Sequence, residues 1–203
     1  MKKSIYLSLV ILLSFSAYSQ ESKTEKASPS KTVNSTDSKQ DVLPETSIYQ
    51  LNHQWKDQFN QPFKLVDLMG NPVVITMMFT HCEYACPMMV NDLKLIKSQL
   101  PKKHKDIKFV LISFDHLRDT ANRLLEYAKT QGLDENWILL HGDAEQIKEI
   151  SVVLDISYEQ MENGSFAHSN KKLVLDKTGT VVFSIDGLQT DPYLVISALN
   201  KTW

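Results

Sequence analysis

The feature that most constrains the fold of this chain is an unbroken apolar run, Val73 to Phe79, that leads almost directly into a cysteine. The run has strand length and is rich in β-branched residues. Such a pattern suits a strand covered on both faces of a sheet. Gly70-Asn71-Pro72 marks a turn before it, and Cys82-Glu83-Tyr84-Ala85-Cys86-Pro87 follows it. Pro87 fits the first position of a helix, where its missing N–H costs nothing. Met89, Val90, Leu93, Ile96 and Leu100 then recur at helical spacing, and Pro101 closes the segment. A buried strand that turns into a helix through a cysteine-bearing loop is therefore the nucleus of the expected fold.

The rest of the chain continues this alternation. Ile48 to Leu51 and Trp55 to Phe59 read as short strands, and Ile107 to Phe114 as a second buried one. Thr120 caps a helix containing Leu124, Leu125 and Ala128, which Gly132 ends. Trp137 to Leu140 reads as a third core strand. Asp143 and Gln146 form a capping box ahead of Ile147, Ile150 and Leu154. A polar loop is expected after Asp155. Lys171 to Leu175 and Thr180 to Ile185 then flank a glycine turn as a hairpin, and Asp191-Pro192 opens a last helix. The order β-α-β-α-β-α-β-β-α describes an α/β protein. It is an elaborated thioredoxin-like fold, with a central mixed sheet flanked by helices and a C-terminal β-hairpin and helix.

Three regions are expected. Lys2 and Lys3, the apolar stretch Ile5 to Phe15 and the small residues Ala17 and Ser19 read as a signal peptide over 1–19. The apolar stretch is shorter than the roughly 20 residues of a spanning helix. Residues 20–47 are dominated by Ser, Thr, Lys, Glu and Asp and read as a disordered tether. The thioredoxin-like domain then occupies 48–203. The product would be exported, periplasmic or extracytoplasmic, and soluble after cleavage; retention of the segment as an N-terminal membrane anchor is the alternative. The net charge of −2 gives no basic surplus for nucleic acid, and none is expected as a partner.

Export places the two cysteines in an oxidising compartment. Cys82 and Cys86 close too short a loop for a bridge between them to constrain the unfolded chain much. The pair is more suited to chemistry than to scaffolding. Both sulfurs lie near a helix N-terminus, where the peptide dipoles favour thiolate, and Pro87 argues for a curled loop at Cys86 rather than regular helix. A thiolate pair suits soft ions, Cu(I) first and Zn(II) next. A third donor is needed, and histidine is the candidate type. His81 adjoins Cys82 and should point away from the sulfurs. His104 sits in a lysine-rich turn and should be solvated; His53 lies near the domain's start and His141 at a strand end. In a thioredoxin-like fold the loop holding His168 packs beside the cysteine loop, which singles out His168. Met77, Met78 and Met89 read as core, Met88 as nearer the site. Trp55, Trp137 and Trp203 read as packing residues.

Three motifs give this chain a family resemblance over roughly Ile48 to Trp203. They are Phe79-Thr80-His81-Cys82 through Cys86-Pro87, then Ser113-Phe114-Asp115-His116-Leu117-Arg118-Asp119-Thr120, then Phe166-Ala167-His168-Ser169. Together they resemble the Sco/SenC copper chaperones of cytochrome c oxidase assembly. The resemblance implies Cys82, Cys86 and His168 as ligands of copper, Cu(I) or Cu(II), with Asp115 as a nearby acidic residue. It also implies delivery to a copper-accepting apoprotein, a CuA-type oxidase subunit, and a reductant for the cysteine pair. The chain departs from the family in having His116 where proline is usual, and Ser165, Phe166 and Ala167 where acidic residues are frequent. His116 could be an auxiliary ligand or a surface histidine, and Asp115 a functional group or a turn residue. The competing function is thiol–disulfide exchange through a Cys82/Cys86 disulfide. The three residues between the cysteines, where thioredoxin-type enzymes have two, speak mildly against it.

Overall fold

The computed structural model describes residues 43–104 and 106–202. The expected signal peptide, most of the expected tether and Trp203 lie outside the described residues. The fold takes in Leu43 to Ser47 as well. Leu43 packs on the core, Ser47 is buried and bridges to Thr180, and Ile48 N donates to Gly179 O at 3.0 Å. The polar residues here bond to a hairpin far along the chain, which composition does not reveal. Ile48 to Leu51, expected as a strand, instead contains a 3-10 turn over Ile48–Gln50. The Ser47 side chain caps it by accepting from Tyr49 N at 3.1 Å.

Among the described residues seven strands make the main sheet: β1 Trp55–Asp57, β2 Pro62–Phe63, β3 Val73–Met78, β4 Lys108–Ser113, β5 Trp137–His141, β8 Lys172–Leu175 and β9 Val181–Ile185. Their order is β2-β1-β5-β4-β3-β8-β9. The pairs β3–β4 and β4–β5 are parallel, and the remaining ones antiparallel, so the sheet is mixed. Every residue of β3 is buried, as its continuous apolar run requires of a strand covered on both faces. Edge strand β9 alternates half-buried with exposed residues instead.

Among the described residues four helices cover the sheet: α1 Ala85–Gln99, α2 Ala121–Thr130, α3 Ala144–Val153 and α4 Pro192–Asn200. Their starts follow the local signals. Thr120 accepts from Arg123 N at the head of α2, and the Asp143/Gln146 capping box forms on α3. Asp191 caps α4 with Pro192 behind it. On α1 the buried face is Met89, Val90, Leu93 and Ile96, and each such side chain contributes roughly 1.5–3 kcal/mol of burial. Lys172 is also buried; its Nζ bonds Asp92 Oδ2 on α1 at 3.0 Å and Gly187 O at 2.7 Å. This pair ties the cysteine helix to the strand that follows His168. Among the described residues no helix is long and apolar enough to cross a membrane.

The segment after Asp155 was expected to be a loop, and it contains a separate two-stranded hairpin, β6 Tyr158–Gln160 with β7 Phe166–His168. Strands this short present no usable period. Aromatic rings hold the hairpin against the ends of β3 and β4. Phe166 lies 5.1 Å from both Phe79 and Phe114, and Tyr158 stacks on Phe114 at 5.2 Å.

Candidate metal centre

Strand β3 ends at Met78, and its continuation carries the cysteines. Thr80 anchors the exit: its N–H donates to Asp119 Oδ2 at 2.8 Å and its hydroxyl to Asp119 Oδ1 at 2.5 Å. Ser113 Oγ donates to the same carboxylate at 2.6 Å. The helix then starts earlier than expected. Ala85 is its first residue, so Cys86 lies in the first turn rather than on a curled loop, and Pro87 follows it inside that turn. Proline is tolerated there because first-turn N–H groups have no intrahelical acceptor. Tyr84 at the N-cap offers no capping bond from its side chain. The Cys82 sulfur takes that place, accepting from Cys86 N at 3.3 Å.

His168 comes from β7, on the hairpin, and was expected on a loop. Its Nδ1 lies 2.9 Å from Ser169 O, so that nitrogen carries the proton and donates. Nε2 is then free to face the cysteines, 3.7 Å from Cys86 Sγ. Phe114, 5.2 Å away, and Phe79, at 6.0 Å, pack the ring in place. The donor atoms of Cys82, Cys86 and His168 all lie within 4.8 Å of one another.

Both cysteines are free thiols with opposite tendencies. The hydrogen bond from Cys86 brings the Cys82 pKa down to about 3 against the cost of burial; His168 and the Cys86 and Tyr84 amides assist. The shared proton and burial push Cys86 up. For His168, burial acts downward, but the Cys82 sulfur and the Ser169 carbonyl outweigh it and the pKa is raised. The resting arrangement is a half-exposed thiolate beside a buried thiol. Two sulfurs and an imidazole form a soft donor set. With bonds of about 2.3 Å to sulfur and 2.0 Å to nitrogen, a trigonal ion holds such atoms about 3.7 Å apart. That matches the Cys86–His168 separation. Cys82 and His168 border an open cleft of about 610 Å³ between the cysteine loop and the hairpin, with Tyr84 and Arg118 also on its walls.

The other candidates lie elsewhere. His81 points to Thr80 Oγ1 and Asp119, away from the sulfurs as expected. His104 is not solvated: it is 1% exposed and bonds Asn200 Oδ1 at 2.9 Å, because the 3-10 turn Lys102–His104 folds it inward. His53 pairs with Glu149, and His141 ends β5. His116 is exposed on the turn after β4. Met77, Met78 and Met89 are buried in the core, and Met88 is half-buried. Trp55 and Trp137 are core residues. Asp115 is buried and engages Arg118 Nε at 2.5 Å, outside the three-donor group. Asp119, which holds the cysteine loop, was not singled out from sequence, although the second quoted motif contains it.

A family model described as SCO1/SenC matches residues 43–203. The chain belongs to the SCO1/SenC family. It is 29% identical over 160 residues to a protein of Stutzerimonas stutzeri provisionally named as copper-binding, covering 73% of this chain and 76% of that one. Among solved structures, a SCO1/SenC family lipoprotein of Bacillus anthracis is 27% identical and superposes with a TM-score of 0.69, over 74% of this chain and 92% of that one. The copper-bound ScoI of Bradyrhizobium japonicum shares the fold, with a TM-score of 0.63 at 21% identity, over 74% and 96% of the two chains. In this SCO1/SenC chain the motif after β4 supplies no donor to the three-atom group. Its carboxylates brace the segments on either side.

Proposed function

We propose that this chain binds a copper ion through Cys82, Cys86 and His168 and passes it to a copper-accepting apoprotein. The observation that carries the reading is the convergence of three soft donors within 4.8 Å from two separate elements. Membership of the SCO1/SenC family supports it, as does the name of the Stutzerimonas relative. The half-exposed Cys82 thiolate is the first donor an incoming ion or acceptor meets. Cys86 binds once its proton leaves, and His168 closes the site with Nε2. Copper is then cargo, handed on by exchange for the acceptor's own ligands; the CuA-type site of an oxidase subunit is the acceptor that the family resemblance suggests. A Cys82–Cys86 disulfide would remove both sulfur donors, so the cycle needs a reductant. Delivery takes place in an exported compartment, reached through the N-terminal signal.

The test is a copper titration of the reduced mature chain against a chelator of known affinity, beside His168→Ala. Tight one-to-one binding that collapses in the variant supports the three-donor site. Weak binding indifferent to the substitution refutes it. A second reading, thiol–disulfide exchange, has its own support: the half-exposed thiolate of Cys82 suits attack on a partner disulfide, and the buried Cys86 suits resolution of the mixed disulfide. In that case His168→Ala leaves oxidation of the pair largely intact, whereas Cys82→Ser and Cys86→Ser abolish both activities.

A further inference from the structure

The β6–β7 hairpin that carries His168 shares no strand pairing with the main sheet. Aromatic packing fixes its inner face, and its turn needs a separate restraint. The turn runs from Met161 to Ser165. Met161 N donates to Ser165 O at 2.8 Å, Gly164 N to Met161 O at 2.9 Å, and Gly164 takes φ +76. These contacts are internal to the hairpin. Among the described residues, the hydrogen bond that reaches this turn from outside is Arg118 Nη2 to Gly164 O, at 2.6 Å. The same guanidinium lies over the Phe166 ring, 5.9 Å from its centroid. Phe166 is two positions before His168 and therefore on the same face of β7.

Arg118 is itself aimed. Asp115, 2% exposed, accepts Arg118 Nε on Oδ2 at 2.5 Å and Arg118 N on Oδ1 at 3.3 Å. Ser113 Oγ in turn accepts Asp115 N at 3.1 Å and donates to Asp119. The stretch from Ser113 to Asp119 thus grips both halves of the donor set. Asp119 fixes Thr80 ahead of the cysteines, and Arg118 fixes the turn ahead of the histidine.

We infer that Arg118, oriented by Asp115, is a positioning residue that clamps the His168 hairpin against the cysteine loop and thereby tunes metal affinity at the site. The affinity part rests on the proposed copper function; the clamp itself does not. The experiment uses the reduced mature chain carrying Arg118→Met, which removes the guanidinium but retains bulk, and Arg118→Lys, which retains a cation. Without metal, amide hydrogen exchange at Met161, Gly164 and Ser165 should accelerate about tenfold or more in Arg118→Met, while amides of β3 and β4 keep their protection. Copper affinity should fall about 10–100-fold, the usual loss when a group that orients a ligand is removed. Arg118→Lys should recover part of both effects. In a His168→Ala background the further loss from Arg118→Met should shrink to less than about twofold, because the two residues then act through one ligand. Unchanged hairpin exchange overturns the clamp. Equal copper losses with and without His168 overturn its action through that ligand. A wild-type chain that does not bind copper refutes the proposed function, and the exchange measurement then decides the clamp alone.

Discussion

Replacing Asp119 with alanine should strongly destabilise the fold around the cysteine loop. Its carboxylate is fully buried and accepts from Thr80 N at 2.8 Å, Thr80 Oγ1 at 2.5 Å and Ser113 Oγ at 2.6 Å. A hydrogen bond to a charged group contributes about 1.5–3 kcal/mol. Losses within one network do not add, and Arg123 Nε still reaches Thr80 Oγ1 at 2.9 Å. The expected cost of Asp119→Ala is therefore about 3–5 kcal/mol, less than the sum of three such bonds. Asp119→Asn is the sharper probe. An amide oxygen at the Oδ2 position keeps the Thr80 N and Ser113 bonds, and the amide nitrogen replaces only the acceptor of the Thr80 hydroxyl. That variant should lose about 1.5–3 kcal/mol, the contribution of one such bond. Urea unfolding of the reduced, metal-free protein measures both, with the slope unchanged. A loss under about 1 kcal/mol for the alanine variant, or equal losses for the two, would refute the view that this carboxylate anchors the cysteine loop.

Two further outcomes follow from the geometry. Because the folded pKa of Cys82 is depressed, its thiolate persists above that value and its contribution to stability is lost as pH falls from the unfolded cysteine pKa toward the folded one. Iodoacetamide at about pH 6 should accordingly label Cys82 and spare Cys86, as peptide mass mapping would show; labelling of Cys86 first would contradict the assignment. Gly179→Ala should destabilise by about 2–4 kcal/mol, since the residue sits at φ +82 and an added Cβ would meet the Tyr49 ring at 2.6 Å. A loss of less than about 0.5 kcal/mol, from the urea midpoint and slope together, would mean the Tyr49 contact yields freely.

What could be read from the sequence divides by the range of the signal. The buried strand β3 and the caps Thr120 and Asp143 were legible because each is written in adjacent residues. The convergence of Cys82, Cys86 and His168 could be expected because their donor chemistry is rare and the fold order brings their segments together. His104 was misread because its lysine neighbours report exposure while its own partner, Asn200, lies on the last helix. The β6–β7 hairpin was missed because three-residue strands carry too little alternation to register. The braces were missed for a related reason. Asp119 meets Thr80 across 39 positions and Arg118 meets Gly164 across 46. No periodicity links such pairs, and each side chain alone looks like an ordinary turn residue. Local pattern sets the topology, and topology decides which distant polar groups must satisfy one another. Candidate donors can therefore be named before the structure is known, whereas the residues that hold those donors at a usable distance become visible only once the chain is folded.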